Sequence, residues 1–288
     1  MFRYILVPAT GGEADAPVFR AALGVARLHR GHLVFLHVGL DVQKVTMPIV
    51  SAEFGGGSGI AEIIETLTRE TAARHDRAKA AVEAFCGGEA IPMSAAPLDA
   101  AISAEWRVET GDETHWMAMH GRVADLLVLG RSWDGGAAPM DLMDAALMET
   151  GRPVLILPTR PPERIGQTIA IAWKDTAEAA SAVAAAMPLL SGAQRVIILS
   201  IDEDARTDAN ACERLRHALV WHNRSTTVRC LPAADDEPAD TLLRLAVDLG
   251  ADLLVIGGYG HSRMREVVFG GFTRRVLQAA DLPVLMAH

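Results

Sequence analysis

The chain contains two copies of one sequence unit, and this repetition constrains its fold more than any other feature does. Residues 123–130 and 250–257 share the run Ala-Asp-Leu-Leu-Val, and both segments end in glycine. Further along, residues 152–157 and 282–287 share Pro-Val-Leu. The same unit therefore occurs twice, and we expect both copies to reach the same fold.

A proline-rich joint separates the two copies. Residues 158–166 hold three prolines and three charged residues, a composition that is typical of a linker. The chain of 288 residues is long enough for two domains of ordinary size. We therefore expect one domain over residues 1–158 and a second over residues 166–288.

Short apolar strands alternate with helices within each copy. Continuous apolar runs are typical of a parallel sheet that helices cover on both faces. Strands are expected at 4–10, 32–38, 102–109, 123–130, 152–157, 168–174, 195–201, 226–231, 250–257 and 282–287. Helices are expected at 15–30, 60–85, 113–122, 176–190, 209–223, 238–249 and 274–280. The sequence predicts an α/β fold of two tandem doubly wound domains, each with a five-stranded parallel sheet and a ligand site at its carboxyl edge.

The first copy has two local features of its own. Asp15 suits the N-cap position of the first helix. Residues 41–59 have no counterpart in the second copy, and they contain a glycine-rich run that favours flexibility. Two interpretations of this segment stay open, a disordered surface insertion and a mobile lid or partner loop.

A glycine-rich loop follows the predicted strand that ends the second copy's Ala-Asp-Leu-Leu-Val run. Two residues separate Gly257 from Gly260, and nine more precede Gly270. Glycines between a strand and a helix let the backbone approach a ligand, and the free N–H groups at the helix start favour an anion. No Gly-Lys-Ser/Thr follows, and the spacing differs from that of the dinucleotide fingerprint. The loop therefore predicts a phosphate site of another kind.

The composition argues against several other classes of protein. A net charge of −9 argues against a broad nucleic-acid interface, which normally needs a basic face. Three cysteines without a Cys-x-x-Cys pair argue against a disulfide framework or a structural zinc site. No apolar run reaches the roughly 20 residues of a membrane helix, and the N-terminus enters a strand with no signal peptide. We expect a soluble cytoplasmic protein with no nucleic-acid or membrane partner.

These residues resemble the universal stress protein family in its tandem two-domain form. The spacing Gly257-x2-Gly260-x9-Gly270 is similar to the nucleotide motif of that family, and the flanking residues 258–263 and 283–288 strengthen the likeness. The resemblance covers essentially the whole chain. It implies a Rossmann-like, adenine nucleotide hydrolase-like fold, and it implies that the second domain binds ATP or a related adenine nucleotide, with or without Mg²⁺.

The resemblance also implies which residues form the site. The loop after the first strand of the second domain would contact the ribose and adenine, a backbone group at the end of the next strand would contact the adenine, and the glycine loop with the following helix start would hold the phosphates. In that order the residues are Ala172, Trp173, Lys174, Asp175 and Thr176; Ile201; and Gly257, Gly260, His261, Arg263, Gly270, Gly271, Phe272 and Thr273.

Some of these residues have a second interpretation. Lys174 stands where the family has an acidic residue, and it either reaches the ligand or lies exposed at a turn. Asp175 either faces the ligand or caps the following helix, while Trp173 either stacks on adenine or packs in the core. Gly271 stands where the family has Ser or Thr, so Thr273 would have to supply the hydroxyl. His261 and Arg263 either contact phosphate, lie in a solvated loop or contact the other copy.

The first copy departs further from the family motif. Aligned on the Pro-Val-Leu strand, Asp141 falls at the helix start where phosphate would otherwise bind. A fixed anion there satisfies the helix dipole and repels phosphate. We therefore expect a degenerate nucleotide site in the first domain, although the loop at residues 10–12 leaves a different ligand open.

The residues show no catalytic apparatus, so the leading hypothesis is a stress-response protein that acts as a regulatory nucleotide-binding module. A nucleotide-free scaffold and a slow ATPase on the same fold are the alternatives. The last strands, residues 153–157 and 283–287, are expected to join the two domains as an internal pseudo-dimer. A homodimer of whole chains is also open.

Overall fold

The structure, a computed structural model, describes residues 1–52, 57–98, 102–131, 140–202, 209–232, 237–258 and 271–288. Strands and helices alternate along it, as the apolar runs predict. In chain order the elements are β1 (Tyr4–Pro8), α1 (Asp15–His29), β2 (His32–Gly39), α2 (Val42–Ala52), α3 (Gly57–Gly88), β3 (Ser103–Thr110), α4 (Glu113–Gly121), β4 (Leu126–Gly130), α5 (Met140–Glu149), β5 (Val154–Leu157), β6 (Thr168–Ala172), α6 (Ala177–Leu190), β7 (Arg195–Asp202), α7 (Ala209–Leu219), β8 (Thr226–Pro232), α8 (Pro238–Asp248), β9 (Leu253–Gly257), α9 (Gly271–Ala279) and β10 (Val284–Ala287).

The strands of the described residues form one sheet in the order β3-β2-β1-β4-β5-β10-β9-β6-β7-β8. The first five strands and the last five follow the same doubly wound order, and the pairs within each half are parallel. Strand β5 meets β10 in an antiparallel pair, with Leu155 opposite Leu285. The predicted α/β fold class and the contact between the last strands are confirmed.

The sheet buries side chains on both of its faces. In β1, Ile5 and Val7 join one apolar cluster while Leu6, which points the opposite way, joins the other. Strand β9 does the same with Leu253 and Leu254. Burial of both faces explains why these strands are continuous apolar runs rather than alternating ones, since each side chain removes apolar surface from water.

The aspartate of the repeated Ala-Asp-Leu-Leu-Val run anchors the first strand of each half. The Asp125 carboxylate accepts hydrogen bonds from the backbone N–H groups of Arg3 (2.7 Å) and Tyr4 (3.0 Å). The Asp252 carboxylate accepts three from residues 166–168, at 2.8, 3.0 and 3.2 Å. Burial raises the pKa of Asp252, and these backbone donors oppose that rise. The repeat thus has a structural cause, the docking of β1 on β4 and of β6 on β9.

Several predicted boundaries move for local reasons. The strands expected from residues 123 and 250 begin at Leu126 and Leu253, because the aspartate before each one is engaged with the neighbouring strand. Helix α7 ends at Leu219 rather than at residue 223. The Asn223 side chain instead donates to the carbonyl groups of Leu190 (2.9 Å) and Ala193 (2.7 Å).

The extra segment of the first half is largely helical. Helix α2 occupies Val42–Ala52, and its Thr46 hydroxyl donates to the Val42 carbonyl at 2.7 Å. Helix α2 packs on α3, which begins at Gly57. The expectation of a disordered insertion is therefore wrong for residues 42–52, while residues 53–56 lie outside the described residues. Within the part of the chain that the structure describes, no helix combines the length and apolar character that a membrane crossing requires.

Candidate functional site

The predicted site residues at the ends of β6, β7 and β9 lie at the carboxyl edge of the sheet. Strands β9, β6 and β7 are neighbours there, and the strand order reverses between β6 and β9. Loop 173–176 follows β6, Ile201 lies near the end of β7, and Gly257 ends β9. Such a switch point leaves a crevice in which doubly wound sheets bind ligands.

The loop between β6 and α6 is held by backbone and side-chain hydrogen bonds. The Trp173 N–H donates to the Leu199 carbonyl (2.8 Å), and the Thr176 N–H donates to the Lys174 carbonyl (2.7 Å). Thr176 caps α6, because its hydroxyl oxygen accepts a bond from the Ala179 N–H at 3.3 Å. The loop is therefore fixed next to the β6–β9 crevice.

The charged residues of this loop are exposed, and one of them has a partner on another helix. Asp175 accepts a bond from the Arg214 guanidinium of α7 at 2.9 Å. The interpretation of Asp175 as a helix cap is wrong, since Thr176 has that role. Lys174 is exposed. No pattern in the sequence indicates Arg214, which lies 39 residues from its partner.

Trp173 packs in the core, which is one of the two interpretations that the sequence leaves open, while stacking on adenine stays a prediction. Its ring packs against the apolar cluster on one face of the sheet, as a core residue would. Its Nε1 is buried and has no hydrogen-bond partner among the described residues. An unpaired indole N–H is costly to bury, so this donor marks a place where a ligand acceptor would be stabilised.

Gly257 makes the closest approach at this edge. A Cβ atom at Gly257 would lie 2.6 Å from the backbone nitrogen of Ala179 and 2.7 Å from the carbonyl carbon of Glu178. The first turn of α6 therefore packs directly on the end of β9. The next residue, Gly258, donates its N–H to the Ala287 carbonyl at 2.8 Å, which ties the loop start to β10.

The helix that follows the glycine loop begins at Gly271. A Cβ at Gly271 would meet no atom of the described residues within 4 Å, so this position has open space on their side. Phe272 packs partly against the core, and Thr273 is buried with 7% of its surface exposed. Ile201 also packs partly against the core, which leaves its backbone as the group that the resemblance assigns to adenine. Gly260, His261, Arg263 and Gly270 lie outside the described residues.

The matching loop of the N-terminal half is occupied by a carboxylate of the chain itself. Asp15 accepts hydrogen bonds from the Thr10 N–H (3.1 Å), the Thr10 hydroxyl (2.8 Å) and the Gly11 N–H (2.7 Å). Only 4% of Asp15 is exposed. The expectation that Asp15 is the N-cap of α1 is wrong, because Ala14 has that position and the Asp15 carboxylate binds the preceding loop instead.

Helix α3 covers this loop from outside. The Arg74 Nε donates to the Thr10 carbonyl at 3.0 Å. Gly11 has a φ of +76°, and a Cβ there would lie 2.7 Å from the Arg74 carbonyl oxygen. The cavity that remains between Thr10, Asp15 and Leu142 measures about 20 Å³, which is room for a single water molecule. Asp141 lies exposed in the first turn of α5, as its alignment predicts.

Aromatic side chains fill the neighbouring strand ends of the N-terminal half. The His37 Nδ1 lies 2.8 Å from the Ala9 carbonyl oxygen, and the imidazole stacks on Trp106 with 5.7 Å between ring centroids. His75 of α3 meets the same imidazole edge-on at 5.3 Å. Burial lowers the pKa of His37, so its neutral ring donates through Nδ1. No group of three or more metal-ligating side chains occurs within the described ranges.

Part of the chain is similar in sequence to known proteins. Residues 233–288 match the family model of the universal stress protein family. The chain is 41% identical over 46 residues to a universal stress protein of Synechocystis sp., and 29% identical over 49 residues to one of Methanocaldococcus jannaschii. Each match covers 16–17% of this chain, and the chain spans only 16% and 30% of the lengths of these two relatives.

A solved structure extends the likeness to the full length of the chain. The crystal structure of a universal stress protein from Archaeoglobus fulgidus superposes with a TM-score of 0.64 and 14% identity, covering 99% of this chain and 96% of that one. An identity of this size shows the fold, and the matched C-terminal residues supply the sequence link. The C-terminal residues are therefore similar in sequence to the universal stress protein family, and the whole chain shares its fold with a universal stress protein.

Proposed function

We propose that the C-terminal half is a domain, residues 166–288, that binds ATP or a related adenine nucleotide, and that the N-terminal half, residues 1–158, is a domain whose nucleotide site is closed. One observation carries this proposal, the contrast between the two matching loops. In the first half the buried Asp15 carboxylate binds the loop N–H groups, whereas in the second half the neutral Thr176 hydroxyl caps α6.

The geometry supports a division of roles within the C-terminal site. Residues 172–176 border the crevice, and the unpaired Trp173 Nε1 offers a donor to the base or the ribose. The backbone of Ile201 would contact the adenine at the end of β7. The nine-residue helix α9 begins with open space at Gly271, where its free N–H groups would face the phosphates. Gly260, His261, Arg263 and Gly270 complete the proposed set on the strength of the motif.

The side chains of the proposed site favour a binding role, in the stress response of the cytoplasm, over a catalytic role. Phosphoryl transfer needs a metal ligand and a positioned water or acceptor. The Asp175 carboxylate of the proposed site is engaged with Arg214 instead. Nucleotide binding would therefore alter the surface that this domain presents to a partner, as a ligand-driven population shift. Mg²⁺ would accompany the nucleotide through its phosphate oxygens.

Thermal unfolding of the whole chain with Mg-ATP, AMP or GTP tests the proposal. A ligand that binds only the folded state should add about 2.7 kcal/mol of stability at 100 times its Kd. We expect ATP to raise the unfolding temperature and the Gly260→Asp variant to lose that rise, because a carboxylate in the glycine loop repels phosphate. A wild-type protein that no nucleotide stabilises would contradict the proposal and favour the nucleotide-free scaffold. Phosphate release that Gly260→Asp abolishes would favour the ATPase.

Gly271→Ser is expected to tighten ATP binding. The substitution restores the hydroxyl that the family motif has at this position, and the open space around Gly271 accommodates it. One added hydrogen bond contributes about 0.5–1.5 kcal/mol, so the Kd should fall about 2- to 10-fold in isothermal titration calorimetry. Gly271→Ala is the matched control, since it fills the same space without a hydroxyl. Equal affinities for the two variants would show that the hydroxyl makes no contact with the nucleotide.

A further inference from the structure

Two of the three cysteines meet on one face of the C-terminal half of the sheet. Cys230 of β8 pairs in register with Ser200 of β7, so their side chains lie on the same face. Helix α7 packs on this part of the sheet and carries Cys212. The Cys230 sulfur and the Ser200 hydroxyl both affect the pKa of the Cys212 thiol, which places these two groups beside it. The two sulfur atoms are therefore already neighbours in the reduced protein.

The two thiols differ in their access to solvent. Cys230 is exposed, whereas Cys212 is completely buried. Burial is the main cause that raises the pKa of Cys212 to about 11, and the Cys230 sulfur contributes to the same rise. Cys212 is therefore a protonated thiol at neutral pH, and it is shielded from oxidants in solution. Cys230 is the sulfur that an oxidant reaches first.

We infer that Cys212 and Cys230 are a redox-active thiol pair, which a hydroperoxide converts into an intramolecular disulfide. The Cys230 thiolate attacks the peroxide, the O–O bond breaks, and Cys230 becomes a sulfenic acid while the peroxide leaves as an alcohol or water. The Cys212 sulfur then attacks the Cys230 sulfur. The S–O bond breaks as the S–S bond forms, and the hydroxide leaves as water with the Cys212 proton. The peroxide is the two-electron oxidant.

The pair lies on a helix that also reaches the proposed nucleotide site. Arg214 follows Cys212 by two residues on α7, and it holds Asp175 of the β6–α6 loop at 2.9 Å. A cross-link between α7 and β8 would fix the position from which Arg214 holds that loop. We therefore expect oxidation to change nucleotide affinity. This consequence rests on the proposed function, whereas formation of the disulfide does not.

Peptide mapping of the peroxide-treated whole chain tests the inference. The reduced protein is treated with hydrogen peroxide, unreacted thiols are alkylated, and non-reduced peptides are identified by mass spectrometry. We expect the free thiols to fall from three to one, a linked peptide that joins Cys212 to Cys230, and reversal by dithiothreitol. Two outcomes would overturn the inference, and in both Cys212 stays a free thiol. One is overoxidation of Cys230, and the other is a disulfide between two chains.

The third cysteine provides the control variant. Cys86 is buried in the N-terminal half, so Cys86→Ser should keep the cross-link. Cys230→Ser changes an exposed side chain and should abolish the cross-link without unfolding the protein. Its result decides the matter even where Cys212→Ser, at a buried position, fails to fold. ATP affinity is then compared between the reduced and cross-linked forms. Equal affinities would overturn the coupling alone, and no binding by either form would contradict the proposed function while the thiol pair stands.

Discussion

Gly257→Ala is expected to destabilise the chain by about 3 kcal/mol and to abolish nucleotide binding. The added methyl group would lie 2.6 Å from the Ala179 nitrogen and 2.7 Å from the Glu178 carbonyl carbon. Both are backbone atoms of the first turn of α6, so no side-chain rotation relieves the clash. The turn or the end of β9 must move, and the Thr176 cap moves with it. The loop that borders the proposed site is thereby displaced.

Urea unfolding and calorimetric titration with ATP measure the two effects. Gly271→Ala is the matched control, because the same methyl group at that position meets no atom of the described residues within 4 Å. We expect the control to change stability by no more than about 0.5 kcal/mol. If Gly257→Ala were as stable as Gly271→Ala, the close approach of α6 to β9 would be wrong. Unchanged ATP affinity in a destabilised Gly257→Ala protein would separate this packing from the ligand site.

Gly257 also shows how much of the glycine motif's role could be predicted from the sequence. The strand–glycine–helix pattern predicts a glycine that lets backbone approach a ligand. The structure shows that backbone does approach, but the neighbour is α6, whose contact atoms lie 78 and 79 positions earlier in the chain. A local motif does not specify such a contact. Gly257 therefore allows α6 to pack against β9. Whether the loop that follows it also binds a ligand is a separate question, which the ATP titration tests.

The fold could be predicted because its determinants repeat along the chain. Strands buried on both faces must be continuous apolar runs, and the repeated aspartates mark where β4 and β9 begin. The contacts that hold the loop at residues 10–12 could not be predicted in this way. Arg74 reaches Thr10 across 64 residues, from a helix whose packing the apolar pattern leaves undefined. The helix over residues 42–52 could not be predicted either, because the glycine-rich run beside it favours flexibility.

Asp15→Ala is expected to destabilise the N-terminal half by about 3 kcal/mol. The Asp15 carboxylate is almost completely buried and accepts bonds from two backbone N–H groups and one hydroxyl. The Thr10 hydroxyl can rotate to another acceptor, but the two N–H groups are fixed by the loop. Each buried donor that loses its partner costs about 1–3 kcal/mol. Asp15→Asn should fall between the two proteins, because its side chain keeps one of the two acceptor oxygens.

The Asp141→Ala variant is the control that separates the hydrogen bonds of Asp15 from a general effect of negative charge at the sheet edge. Asp141 also lies in the first turn of a helix of the N-terminal half, but it is exposed. Its loss removes a favourable dipole interaction of about 0.3–1 kcal/mol and leaves no buried donor unpaired within the described part of the chain. Hydrogen exchange should therefore accelerate at the Thr10 and Gly11 amides in Asp15→Ala and stay slow in Asp141→Ala. Equal protection of these amides in both variants would mean that Asp15 does not hold the loop. The hydrogen bond from Arg74 of α3 to the Thr10 carbonyl would then be the contact that holds this loop.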